Sequence, residues 1–127
     1  ALGRLTEQPI DAEIIRSYTR WIRESADCRR DFSRMVAAIS PRFTEEAATQ
    51  LPHFQPPVLV LWAAERRQFF PLEHAHRLAA LFPDARLRVI EDSGPFITED
   101  RPIETANHIA DFLSQTTRQT HPNGGRP

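Results

Sequence analysis

Val58-Leu59-Val60-Leu61-Trp62 is the stretch that decides the fold. Five apolar residues in succession, without polar alternation, read as a strand covered on both faces, the pattern of a parallel sheet. A proline-marked connection, His53 to Pro57, precedes it, and Ala63 to Phe70 reads as a loop after it. Pro71 then opens a helix on which Leu72, Ala75, Ala79 and Phe82 share a face. Pro83-Asp84 turns the chain into a second, shorter strand, Leu87-Arg88-Val89-Ile90, with Arg88 on its polar side. Strand, crossover helix and strand make one parallel βαβ unit, right-handed by rule. Asp92-Ser93-Gly94-Pro95 is a turn. Asp100 and Pro102 start a last helix with Ile103, Ala106, Ala110 and Leu113 inward, and the polar stretch 116–127, with its Pro and Gly, is expected to be disordered.

Upstream of the strand the sequence is helical. Asp11 is placed to cap a helix whose Ile14, Ile15, Tyr18, Trp21 and Ile22 fall on one face. Ser25-Ala26-Asp27 interrupts it, with Asp27 as a candidate new cap. Phe32, Met35, Val36 and Ile39 follow i, i+3, i+4, i+7 spacing on a second helix that Ser40-Pro41 ends. Thr44 is the candidate cap of a short third helix through Leu51.

Two parallel strands do not make a stable sheet alone. Burying each apolar side chain of residues 58–62 contributes roughly 1.5–3 kcal/mol, which exposure would forfeit. Either the helical first half folds over the sheet in an unusual way, or the neighbours of this strand lie in a longer protein or a partner. The first residue, Ala1 rather than Met, accords with a piece of something longer.

Composition narrows the function classes. Sixteen basic and 17 acidic residues leave a net charge of −1, and all 16 basic residues are Arg. That balance argues against a general nucleic-acid binder and a polybasic membrane anchor. No apolar run approaches the ~20 residues of a membrane span. The single Cys28 excludes an intramolecular disulfide and a cysteine zinc cluster, pointing to a reducing, cytoplasmic compartment. The four glycines, Gly3, Gly94, Gly124 and Gly125, cannot write G-x-S-x-G, G-x-G-x-x-G or a P-loop.

The segments Pro57 to Trp62, Phe69-Phe70-Pro71, Glu73-His74-Ala75, Pro83 to Leu87, Ile90-Glu91-Asp92, Gly94-Pro95-Phe96, Glu99 to Pro102 and Asp111-Phe112-Leu113 together resemble the C-terminal part of α/β-hydrolase-fold proteins. The resemblance covers about residues 54–114, and residues 7–53 look like the end of the helical cap of such hydrolases. It implies a partial α/β-hydrolase fold. Residues 1–53 would be a cap remnant, 54–115 the terminal βαβ unit and C-terminal helix, and 116–127 a disordered tail. It also implies hydrolysis of a small apolar or ester-type substrate, with no metal or organic cofactor. In the family a loop after the strand ending at Trp62 bears the triad acid, which orients the histidine. Here that position falls on Arg66 in a loop one residue longer, leaving Glu65 as the nearest carboxylate and the candidate acid. The family histidine follows the glycine, where this chain has Pro95, which carries no proton-accepting nitrogen. The nucleophile belongs to a part of the fold absent from this sequence. The implied chain is a hydrolase fragment inactive alone, meeting itself or a missing N-terminal half through its exposed sheet edge. A degenerate relative acting as a binding or scaffolding protein stays open, as does an enzyme with its base elsewhere, for example His74.

The remaining candidates read more plainly. Glu65 beside Arg66 and Arg67 fits a solvated carboxylate as well as a triad acid. His74 and His76, two apart on a helix, cannot serve one metal from one face. His53, His108 and His121 are isolated, Ser93 lacks the glycine of a nucleophile elbow, and Cys28 fits a small packing residue. Arg16, Arg20, Arg23, Arg29, Arg30 and Arg34 interleave with Glu13, Glu24, Asp27 and Asp31, the pattern of a solvated helix face.

Overall fold

A computed structural model describes residues 5–64 and 69–120. Three helices come first: α1 (Ala12–Glu24), α2 (Ala26–Ala37) and α3 (Pro41–Ala48). A 3-10 turn, Leu51–His53, leads to β1 (Val58–Ala63), α4 (Leu72–Ala79) and β2 (Ala85–Ile90). The short α5 (Ile97–Asp100) and the long α6 (Pro102–Thr120) follow. The chain is thus mixed α/β with a two-stranded parallel sheet.

Side-chain caps punctuate the helical half. Asp11 Oδ1 accepts the Glu13 amide at 2.6 Å, as its position before α1 predicts. The break between α1 and α2 belongs to Ser25 rather than Asp27: Ser25 is extended, and its Oγ accepts the Cys28 amide at 3.2 Å. Ser40 likewise replaces Thr44 as the cap of α3, with Pro41 in the first turn. Ser40-Pro41 therefore starts a helix; α2 has already ended at Ala37. The reason is common to both serines, a hydroxyl one residue before a helix-compatible run, which competes well for orphan amides.

In the sheet, Val58 pairs with Ala85 and Ala63 with Ile90, so both strands run longer than the apolar runs that marked them. The core is Val60, Ala63, Ala75 and Ile90, with Ala75 on the crossover helix and Ile90 at the end of β2 fully buried. Val60 is 6% exposed, so this chain does shelter the middle of β1. Val58, Leu59, Leu61 and Trp62 remain half-buried, and β1 has a strand on one side alone among the described residues. α1, α2 and α3 bury no residue, leaving Trp21, Met35 and Phe43 more than half exposed, as is Ile39 between α2 and α3.

α6 departs from its expected register. Ile103 and Leu113 face outward, 76% and 55% exposed, and Ala106 and Ala110 are exposed too. The inward residues are Thr105, His108 and Phe112. The cause lies in the sheet face beneath, where Arg86 and Arg88 line a small cleft with His108, Asp111, Phe112 and Gln115. The Arg86 guanidinium lies 5.7 Å from the Phe112 ring centroid and donates to Gln115 Oε1 at 2.5 Å. Arg86 and Arg88, with Leu59 beside them, thus meet a mixed stripe of the helix in which Phe112 lies among His108, Asp111 and Gln115. α6 also carries helical geometry through Thr120, into the stretch from Thr116 expected to be disordered.

Candidate functional site

Ligands of open α/β sheets gather at the carboxyl ends of the strands. At that end of β1 and β2 an open hollow of about 280 Å³ is lined by Leu61, Trp62, Ala63, Phe70, Pro95 and Ile97. Its wall is apolar. Trp62 donates its indole N–H to the Phe70 carbonyl at 2.9 Å, which fixes the loop return against the strand end.

The opposite rim is the turn after β2. Asp92 adopts φ 50°, a left-handed conformation that Asp tolerates better than most residues. Ser93 follows, fully buried, with its hydroxyl donating to the Gly94 carbonyl at 3.0 Å. It presents no nucleophile to the hollow. Pro95 lines the hollow and contributes shape without a base. Glu65, Arg66 and Arg67 lie outside the described residues, as does His121.

Behind the rim sits Asp100, a buried carboxylate that sequence reading took for no more than a helix start. Its Oδ1 accepts the Gln8 amide at 2.8 Å, and its Oδ2 accepts the amides of Glu7 at 2.9 Å and Gly94 at 2.7 Å. The Ser93 hydroxyl lies at 3.5 Å from Oδ2. The Phe96 amide donates to the Leu5 carbonyl at 3.1 Å. A second tie joins the Tyr18 hydroxyl, donating, to Glu99 Oε1. That bond raises the Tyr18 phenol above its ordinary value, with burial and the Glu99 charge acting the same way. Both ties span more than 80 residues of sequence, and no local signal announces them.

The other candidates stand apart. His53, His74 and His76 are exposed, and His108 is half-buried with Nε2 at 4.0 Å from Glu104. Cys28 is half-buried in the first turn of α2. No group of three metal-ligating side chains occurs among the described residues. Arg20–Glu24, Arg30–Asp27 and Arg34–Asp31 form ion pairs along α1 and α2, while Arg29 donates to the Ile22 and Arg23 carbonyls. No helix of the described residues is long and apolar enough to cross a membrane.

No family model and no solved structure matches the chain. It is 32% identical over 104 residues to the uncharacterized hydrolase YugF of Bacillus subtilis strain 168. That alignment takes in 82% of this chain and 36% of YugF, so the chain spans about a third of the relative's length. This distant likeness relates a mixed α/β chain, with an apolar hollow at its strand ends, to a protein named as a hydrolase.

Proposed function

We propose that the chain is the C-terminal portion of an α/β-hydrolase-fold protein. Residues 1–53 would supply the end of a helical cap, and residues 54–115 the terminal βαβ unit and last helix. The observation that carries this reading is the incomplete sheet: a parallel pair whose β1 has, among the described residues, one strand neighbour and four half-buried apolar residues. The uncovered apolar residues of α1–α3 and of α6 agree with it. Intact members of that family hydrolyse a small apolar or ester-type substrate; here such an acyl or alkyl part would sit against Trp62, Phe70 and Ile97. The nucleophile would come from outside this sequence, and Glu65 is the carboxylate nearest the family's acid position. No cofactor is required, and the open β1 edge would receive the missing half or a second copy. A cytoplasmic location fits the single cysteine.

A hydrolase of this type needs a base to take the nucleophile's proton and return it to the leaving group. Pro95 can do neither, so the chain alone should turn over no ester. The test is hydrolysis of a short-chain p-nitrophenyl ester by the purified chain, alongside its sedimentation behaviour. Rates at the buffer background and concentration-dependent association are expected. Turnover, or a monomer that melts cooperatively, would sink the fragment reading.

Pro95 favours one second reading, a relative that has kept the hollow and lost the chemistry. Placing Pro95→His in the longer protein separates the two. Hydrolysis gained with the histidine marks a recently disabled enzyme, and none favours a binding or scaffolding role or a base elsewhere.

A further inference from the structure

We infer that Asp100 is a latch coupling the helical arm to the rim of the hollow, by fastening the strap Leu5–Gln8 across the turn that carries Pro95. Three main-chain amides from two segments some 90 residues apart converge on one buried carboxylate. Each bond is charge-assisted. A buried carboxylate stripped of such donors is costly, so strap and turn require one another. The fit is close as well as polar. A Cβ on Gly94 would lie 2.5 Å from the Leu5 carbonyl oxygen, so the strap can cross here at glycine and at nothing larger without shifting.

The mechanical path is short on both sides. From Gln8 the strap passes Pro9 and Asp11 into α1, whose Tyr18 is tied again to Glu99. From Asp100, α5 runs back three residues to Ile97, which lines the hollow with Pro95. A ligand wedging apart Pro95 and Ile97 pulls on α5 and therefore on the strap. Conversely, moving the arm changes the rim. The latch would operate in either reading of the hollow, hydrolase or binding protein.

The test is residue-resolved amide hydrogen exchange on the full chain, with Trp62 emission followed in a Trp21→Phe background so that one tryptophan reports from the hollow. In the unaltered chain, the Glu7, Gln8 and Gly94 amides should exchange slowly. Asp100→Asn should speed all three together by about tenfold or more, and shift Trp62 emission. Gly94→Ala, which leaves the carboxylate in place, should release Glu7 and Gln8 in the same way and serves if the Asp100 variant does not fold. Fast exchange at Glu7 and Gln8 in the unaltered chain overturns the latch. So does acceleration confined to Gly94, or release of the strap with Trp62 emission unmoved.

Discussion

Trp62 and Phe70 are joined twice: the indole N–H donates to the Phe70 carbonyl at 2.9 Å, and the rings meet edge to face with centroids 6.4 Å apart. The pair closes the loop between β1 and α4 and forms one wall of the hollow. Trp62→Phe keeps an aromatic ring and removes the donor. The expected loss is about 1 kcal/mol, the ordinary net worth of one hydrogen bond, with a little more for the smaller ring. A shift in urea midpoint at unchanged slope would register it. An unchanged midpoint would mean that the loop return is held elsewhere.

Tyr18 is the one tyrosine of the chain, so its ionisation can be read without overlap from tyrosinate absorbance. The hydrogen bond to Glu99 favours the neutral phenol and raises it above 10.0. A group whose folded value is raised contributes its stabilisation in full below the unfolded value and loses it as pH rises through the folded one. The tie between α1 and α5 should therefore be intact at neutral pH and fail only in strongly alkaline solution. Glu99→Gln should bring the titration midpoint back toward 10.0. A midpoint indifferent to that change would show that the two side chains do not meet in solution.

The βαβ unit was legible because its signals are local: an unbroken apolar run at 58–62, Pro71 before α4, and Arg88 exposed between half-buried neighbours on β2. Asp11 capped its helix for the same reason. The caps expected at Asp27 and Thr44 gave way to nearby serines, Ser25 and Ser40, whereas the failures in α6 and at Asp100 depended on distant partners. The stripe Ile103, Ala106, Ala110 and Leu113 has good helical spacing, yet Arg86 and Arg88, brought beneath α6 by strand pairing, select the opposite face. Asp100 looked like a helix-start residue because the amides it accepts lie at positions 7 and 8. The place of Pro95 on the rim follows from the turn after β2.

Ile90 ends β2, fully buried opposite Ala63. Truncation there removes three heavy atoms from a core of few residues, with little around it to collapse into the space. Ile90→Ala should cost about 2–5 kcal/mol. Against a typical total of about 5–15 kcal/mol, that is enough to make the fold marginal. Circular dichroism melts should show a depressed midpoint or no cooperative transition. A loss under 1 kcal/mol, on the order of an exposed-site change, would show that the sheet is not the centre of stability.

The register of α6 gives opposite expectations for two adjacent residues. Phe112 is half-buried and stacked under the Arg86 guanidinium, whereas Leu113 is 55% exposed. Phe112→Ala should cost about 1–3 kcal/mol through lost apolar contact and the lost cation–π pair. Leu113→Asp should stay within about 0.5 kcal/mol in this chain and reduce self-association, because it breaks an exposed apolar stripe. Chemical denaturation of the two variants, with light scattering on the second, checks both. If Leu113→Asp destabilises more than Phe112→Ala, the helix is turned the other way. The same pair tests the proposal that the chain is part of a longer protein. Were α6 covered there on its outer stripe, Leu113→Asp would become the costly change and Phe112→Ala would keep its value. That reversal between short and long chains would locate a covering element on Ile103, Ala106 and Leu113.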